Sequence, residues 1–268
     1  LIVDHVLISG DSVSSRMPKV LTNEKFDDSD LGGAFVDLGD SLLLAVGKGT
    51  HELVGETTVR LQQSNSVFGK TIVIPKINWA DENLKPYEKL IFSLRTSGHK
   101  NPQGSFIDKN NNIFMVEHGP NGGDEINIIQ DTGDYGYSKF SFGYDNVKNE
   151  YLNNYNPKYI NPIWHYTPSP AISDIADCPF TEGGGAIYHE GCLLVTALRD
   201  QSLNIMKFKP VVENLDNKIF TQADGSKNVI SWERLKVGER VRRIATSPLR
   251  VILGTDMLNI YISDYSPR

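Results

Sequence analysis

Apolar and polar positions alternate in short runs along most of the chain, and the 3.6-residue spacing of an amphipathic helix is nearly absent. Short apolar runs bounded by Gly, Asn, Asp and Pro predict β-strands joined by turns. Gly33 opens a predicted hairpin, Ala34–Val36 and Leu42–Val46. Thr57–Leu61 and Thr71–Ile74 follow on either side of Gln63-Ser64-Asn65, and Lys89–Leu94 completes the sheet. A second predicted sheet joins Ser105–Asp108, Ile113–Val116, Glu125–Ile129 and Ile163–Tyr166. A third joins Gly185–Tyr188, Leu193–Leu198, Leu203–Phe208 and Ile230–Leu235. A fourth joins Arg243–Thr246, Val251–Gly254 and Asn259–Ser263. A unit of small residue, apolar run, turn, apolar run and two more strands therefore recurs, as expected of an all-β propeller. A β-sandwich, the alternative, predicts fewer long rim loops. Leu1–Ser9 and Lys19–Leu21 read as outer strands of a further, incomplete blade. Asp145–Asn161, rich in Asn, reads as an irregular excursion from a sheet edge.

Composition narrows the class. At 268 residues, 39% hydrophobic and 22% charged, the chain has an ordinary globular composition and the length of one large domain. A net charge of −6 argues against nucleic acid, whose binding needs clustered Lys and Arg. No apolar run reaches the length of a membrane span. Leu1–Gly10 carries Asp4 and His5 without a basic start, so it does not read as a signal peptide. Cys178 and Cys192 fit either one disulfide or two buried thiols.

The densest chemistry flanks the second hairpin. Gly98-His99-Lys100-Asn101-Pro102-Gln103-Gly104 precedes it, and Glu117-His118-Gly119-Pro120-Asn121-Gly122-Gly123-Asp124-Glu125-Ile126-Asn127 follows. The turn lies at the far end of the hairpin, so both polar segments should share one rim. Glycines let backbone carbonyls approach a ligand, and the acids suit a hard cation such as calcium. A Gly-rich turn with solvated acids is the plainer reading.

These residues, with Gly133-Asp134-Tyr135-Gly136 downstream, resemble the soluble quinoprotein aldose sugar dehydrogenases of the glucose/sorbosone dehydrogenase family, and weaker similarity runs from about Gly32 to Tyr261. The resemblance implies a six-bladed β-propeller that oxidises an aldose with pyrroloquinoline quinone (PQQ) and calcium. It also implies a periplasmic or secreted location and an external electron acceptor. This chain would cover four to five blades of that plan as a single domain, residues 1–268, lacking the first blades. Lys100, Asn101, Arg199, Arg240 and Arg242 would match the cradle for the quinone's three carboxylates. Gly119 and Pro120 would offer carbonyls to the calcium that polarises the quinone, and Glu125 and Tyr135 would match ligands of a second, structural calcium. Alternation puts Arg240 and Arg242 on one strand face.

The family's base is a His in the pattern H-x-G-G, whereas this chain reads Asp30-Leu31-Gly32-Gly33. An ordinary Asp is a weaker base than His by about 2.6 pKa units. The expectation is a retained fold and cofactor cradle with Asp30 at the catalytic position and weak turnover. A lone His such as His118 reads as a hydrogen-bonding support more often than as a base; only strong turnover that survives replacement of Asp30 would make His118 or His99 the first candidates for the base. The alternative is a non-catalytic propeller that binds carbohydrate or a protein partner. A calcium-dependent propeller hydrolase would need clustered acids, and those here are scattered.

Overall fold

The structure, a computed structural model, describes residues 1–3, 6–9, 12–15, 18–26, 29–49, 61, 63–77, 85, 87, 89–108, 110–145, 149–151, 156–178, 192–208, 229–247 and 250–264. β1 (Ile2–Val3) pairs with β4 (Lys19–Val20), and β2 (Val6–Ser9) with β3 (Ser12–Ser15). Four larger antiparallel sheets follow. The first is β5 (Gly33–Asp37), β6 (Ser41–Val46), β7 (Lys70–Pro75) and β8 (Ser93–Ser97) in spatial order. The second is β9 (Asn101–Ile107), β10 (Ile113–His118), β11 (Asp124–Ile128) and β14 (Trp164–Tyr166). Between its last two strands the chain forms a separate pair, β12 (Tyr144–Asp145) and β13 (Glu150–Tyr151). The third is β15 (Ile172–Asp177), β16 (Cys192–Ala197), β17 (Ser202–Phe208) and β18 (Val229–Lys236), and the fourth is β19 (Val241–Ser247), β20 (Arg250–Thr255) and β21 (Ile260–Asp264).

Alternation becomes sheet packing. In β5, Ala34 and Val36 are buried while Gly33, Phe35 and Asp37 are exposed. Ala34, Val36, Leu43 and Ala45 of the first sheet pack on Ile113 and Met115 of the second. Phe114, Val116 and Ile126 of the second sheet pack on Ile172, Ile175, Leu193 and Val195 of the third. Leu194 and Leu203 of the third meet Val241, Val251 and Leu253 of the fourth. The second and third sheets thus each bury one face against the sheet before and the other against the sheet after, which is the packing of propeller blades. Leu1, Val3 and Leu21 pack beside Ile72 and Ile74 on the free face of the first sheet.

The first strands of the four sheets, β5, β9, β15 and β19, lie side by side and run the same way. Ser105 Oγ donates to Phe35 O at 3.2 Å, Ile244 N to an Asp174 oxygen at 3.1 Å, and Arg243 Nη1 to Gln103 O at 2.9 Å. Gly104 is required between β9 and β15, because a Cβ there would run into the Asp174 carboxylate and its Cα. The rim where these strands begin therefore gathers residues from four distant parts of the sequence.

Two expectations need correction. The third sheet begins with β15, which the apolar pattern did not reveal; its Ser173 and Asp174 break the run, yet both are buried and bonded to β19. Gly185–Tyr188 and residues 57–60 lie outside the described residues. β8 starts later than Lys89–Leu94, since Leu90 and Phe92 turn into the core beside Ile72 while Thr96 pairs with Thr71. The cysteines form a disulfide, Cys178–Cys192, between the end of β15 and the start of β16. No helix among the described residues is long and apolar enough to cross a membrane.

Two measurements test the strand contact at Gly104. Gly104→Ala should lower unfolding free energy by about 1–3 kcal/mol through overpacking, and an unchanged denaturation midpoint would refute the close approach. Burial raises the pKa of Asp174 above the ordinary carboxylate value, against the lowering by the Ile244 and Ile175 amides and Arg243. A raised folded pKa contributes stability at low pH that is lost as pH rises through the elevated value. The wild type should therefore lose stability relative to Asp174→Asn from about pH 4 upward; parallel curves would contradict it.

Candidate functional site

The rim is built from the second hairpin outward. Antiparallel register sets His118 opposite Asn101 across β9 and β10, so the two polar segments flanking the hairpin meet there. Glu117 fixes them from below. Its buried carboxylate accepts from His99 Nδ1 at 2.9 Å, Lys100 N at 2.8 Å and Asn127 Nδ2 at 2.9 Å. The other His99 nitrogen bonds Thr96 Oγ1 at 2.8 Å, and the Tyr135 ring stacks on the imidazole at 4.5 Å between centroids.

Lys100 and Asn101 are thereby aimed at Asp30. Lys100 Nζ lies 2.9 Å from Asp30 Oδ2, and Asn101 Nδ2 donates to Oδ1 at 3.1 Å. Asn101 Oδ1 accepts from Gly32 N at 2.8 Å. Lys48, which the sequence reading passed over, is 97% buried at its side chain and places Nζ 3.1 Å from Asp30 Oδ2. It lies two residues past the end of β6, and Lys48 N donates to Lys100 O at 2.8 Å. Asp30 itself adopts φ 50°, a left-handed conformation that Asp tolerates in turns. Burial raises its pKa, but Lys100 and Lys48 outweigh burial, so the carboxyl titrates below its ordinary range. A carboxylate held between two ammonium groups is a poor proton acceptor.

His118 stands beside this cluster. Its Nε2 donates to Ile172 O at 2.6 Å, which leaves Nδ1 as the lone-pair nitrogen, 3.4 Å from Asn101 Nδ2. Burial lowers its pKa despite the nearby Asp124 carboxylate. His99 is fully buried and bonded at both nitrogens, which keeps it from a substrate.

Arg240 and Arg242 lie on one face of the chain entering β19, as alternation requires, and both bind Asp256. The Arg240 Nε and Arg242 Nε contacts are each 2.8 Å, and Arg242 Nη2 adds a third at 2.9 Å. The two guanidinium groups pull the Asp256 carboxyl down to about 2. Arg199 follows β16 in an exposed turn anchored by its N donating to Pro170 O at 3.0 Å, two residues before Ile172. Lys100 and Asn101 thus adjoin Asp30, and the arginines stand further round the same rim.

The residues read as cation donors lie on the β10–β11 turn and below it. Gly119 N donates to Asp124 Oδ1 at 3.2 Å, and Asp124 Oδ2 accepts from Ser169 Oγ and Ile172 N, which pins this turn to the next blade. Glu125 is buried beside Glu117, and burial with that second carboxylate raises its pKa well above the ordinary value. Asn127 Oδ1 is buried with no hydrogen-bond partner. Tyr135 hydroxyl bonds Ile128 O and accepts from Gln130 N, so its phenol is committed to the fold. Among the described residues no three His, Cys, Asp or Glu side chains converge as a metal centre.

The sequence profile of the family "Glucose / Sorbosone dehydrogenase" matches residues 15–256. The chain belongs to this family. It is 26% identical over 249 residues to the aldose sugar dehydrogenase YliI of Escherichia coli, covering 88% of this chain and 58% of that protein. The family chain described here therefore spans less than two thirds of that relative's length. The apo structure of the soluble aldose sugar dehydrogenase from Escherichia coli superposes with a TM-score of 0.68 at 20% identity, over 100% of this chain and 74% of that one. The PQQ-bound aldose sugar dehydrogenase of Streptomyces coelicolor gives 0.51 at 19% identity, over 80% and 52%. Both likenesses establish the shared fold.

The ion cluster predicts its own test. Removing one partner of a buried ion pair leaves the other charge uncompensated, at a cost of roughly 3–5 kcal/mol. Asp30→Ala should approach that loss because Lys48 stays buried, while Asp30→Ala with Lys48→Met should recover much of it. Urea unfolding of the three proteins decides the matter; equal losses in the single and double variants would show that Lys48 does not depend on Asp30.

Proposed function

We propose that this chain carries a quinone-binding rim of the sugar dehydrogenase type, in which aldose oxidation is weak because Asp30 is held as an ion-paired carboxylate. The observation that supports this most directly is the meeting of Lys100 and Asn101 with Asp30 where the first strands begin, on the rim that also bears Arg240 and Arg242. Cationic and amide side chains on a rigid strand-end scaffold suit a planar tricarboxylate, with Arg as its best partner. When bound, PQQ would supply the two-electron acceptor for an aldose, and an external acceptor would reoxidise it.

The chain's own groups would divide the work. Lys100, Asn101, Arg199, Arg240 and Arg242 would bind and orient carboxylates. The proton of the sugar's anomeric hydroxyl would pass to Asp30 Oδ1 or Oδ2, and the nearby ammonium groups oppose that transfer. The calcium reading draws on the carbonyls of Gly119 and Pro120 for a cation that would polarise the quinone, and on Glu125 and Tyr135 for a second, structural cation. The unpartnered Asn127 Oδ1 and the elevated Glu125 pKa fit an oxygen-rich place that gains from a hard cation, which would act as a Lewis acid or a staple. A periplasmic or secreted setting agrees with the Cys178–Cys192 disulfide.

The second reading, a propeller that binds carbohydrate or a protein partner without turnover, is favoured by that same clamped Asp30. Titration with PQQ and calcium, followed by dye reduction with several aldoses, separates the two. The wild type should bind quinone with little turnover, and Arg240→Ala should weaken binding. Asp30→His alone leaves the Lys48 ammonium beside an imidazole, so Asp30→His with Lys48→Asp, which gives the new base a carboxylate to orient it, should raise turnover on the order of 10²-fold. No quinone binding would overturn the enzyme reading and leave the rim as a recognition surface. Calcium should raise the melting temperature relative to chelator; coincident curves would remove the cation from the account.

A further inference from the structure

A second cleft, of about 290 Å³, opens next to the cradle and shares with it the wall formed by Gly98 and Tyr137. None of the side chains that give it its chemistry belongs to the rim cluster. Ser97, Asp134, Tyr137, Lys139, Lys158 and Tyr159 line it. The two lysines come from separate, anchored turns. In the first, Lys139 N and Phe140 N both donate to Gly136 O, at 2.8 and 2.9 Å. In the second, Lys158 N donates to Asn156 Oδ1 at 3.0 Å and Tyr159 N to Asn156 O at 3.1 Å. Lys158 Nζ stands 5.7 Å from the centre of the Tyr159 ring, whose other contacts include the stacked Phe140.

The charge arrangement is specific. Among the described residues, neither Lys139 nor Lys158 has a carboxylate within ion-pair distance, whereas most of the rim cations do. The one carboxylate in the cleft, Asp134, has Oδ1 fixed by Gly136 N at 2.9 Å and sits one peptide from the Gly98 wall through the Tyr135 N to Ser97 O bond. Two ammonium groups attract an anion, while one anchored carboxylate and a serine hydroxyl accept or share hydroxyl protons. A bare inorganic anion would satisfy the lysines and be repelled by Asp134. A neutral sugar would satisfy Asp134 and leave the lysines unanswered.

We propose that this cleft binds a small polyhydroxylated anion, a sugar bearing a phosphate or carboxylate group. Lys139 and Lys158 hold the anionic end, and Asp134 and Ser97 receive the hydroxyls. The site is separate from the quinone cradle and stands whether or not the chain binds quinone.

The test is calorimetric titration of the whole chain at low ionic strength, without quinone, using glucose 6-phosphate, gluconate, glucose and inorganic phosphate. The two sugar anions tell phosphate from carboxylate. At least one should bind saturably and about tenfold more tightly than glucose or inorganic phosphate, a difference of about 1.4 kcal/mol. Lys139→Ala with Lys158→Ala, both exposed and so expected to fold, should weaken that binding tenfold or more, with melting curves checking integrity. Asp134→Asn, which keeps an oxygen for Gly136 N, should narrow the preference over inorganic phosphate. Lys100→Ala should leave the affinity unchanged. No saturable binding, equal binding of inorganic phosphate, an unaffected double-lysine variant, or loss of binding in Lys100→Ala would each overturn the proposal.

Discussion

The Glu117 carboxylate is the interaction on which the rim depends. Buried at the end of β10, it joins the imidazole of His99, the main chain of Lys100 and the amide of Asn127. A buried carboxylate is costly unless its lone pairs are filled, and three donors fill them here. The chain of contacts runs on through His99 to Thr96 and Thr71, so the polar network ties the first sheet to the second. Because these groups have one mutually satisfied arrangement, Lys100 and Asn101 emerge at a fixed angle toward Asp30. Rigidity at the rim is bought by that polar core rather than by the loops themselves.

The blades position the rim through close backbone approach. Parallel first strands bring Asp30 beside Asn101, His118 beside Ile172 and Ser173 beside Val241, although each pair is far apart in sequence. Gly104 lets β9 and β15 touch, and Gly32 does the same service against Pro102 and Asn101, where a Cβ would collide with both. The wedges of aliphatic side chains between sheets then hold the arc, each wedge drawing on two neighbouring blades. Function placed on such strand ends inherits the stiffness of the sheets beneath it.

Charge within the rim is arranged by pairing rather than by number. Asp30 answers Lys48 and Lys100, and Asp256 answers Arg240 and Arg242. The first carboxylate is three-quarters covered and its pairs are strong; the arginines around Asp256 are about half exposed, where solvent weakens the attraction. An incoming carboxylate ligand therefore competes with Asp256 more easily than with Asp30. That asymmetry gives the arginine side of the rim the freer cations and the Asp30 side the firmer geometry.

The sequence by itself determined the class of fold. Period-two alternation and turn residues need no partner to be legible, so all-β architecture, the second hairpin and the pairing of Glu117–Asn127 with Gly98–Gly104 on one rim could be read from local pattern. The resemblance to the family pointed to Lys100, Asn101, Arg199, Arg240 and Arg242 as candidates, because the spacing of each motif is local to its strand start. Tertiary structure alone decided the rest. Ser173 and Asp174 look like breaks in a strand until β19 supplies their partners, so β15 was invisible. Lys48 looks like a solvated lysine after a strand until Asp30, brought by the turn before β5, meets it under cover. The cysteines fitted two states until the register of β15 and β16 set them side by side. In each case the deciding energy comes from a group distant in sequence, and only the packing of blades brings it near.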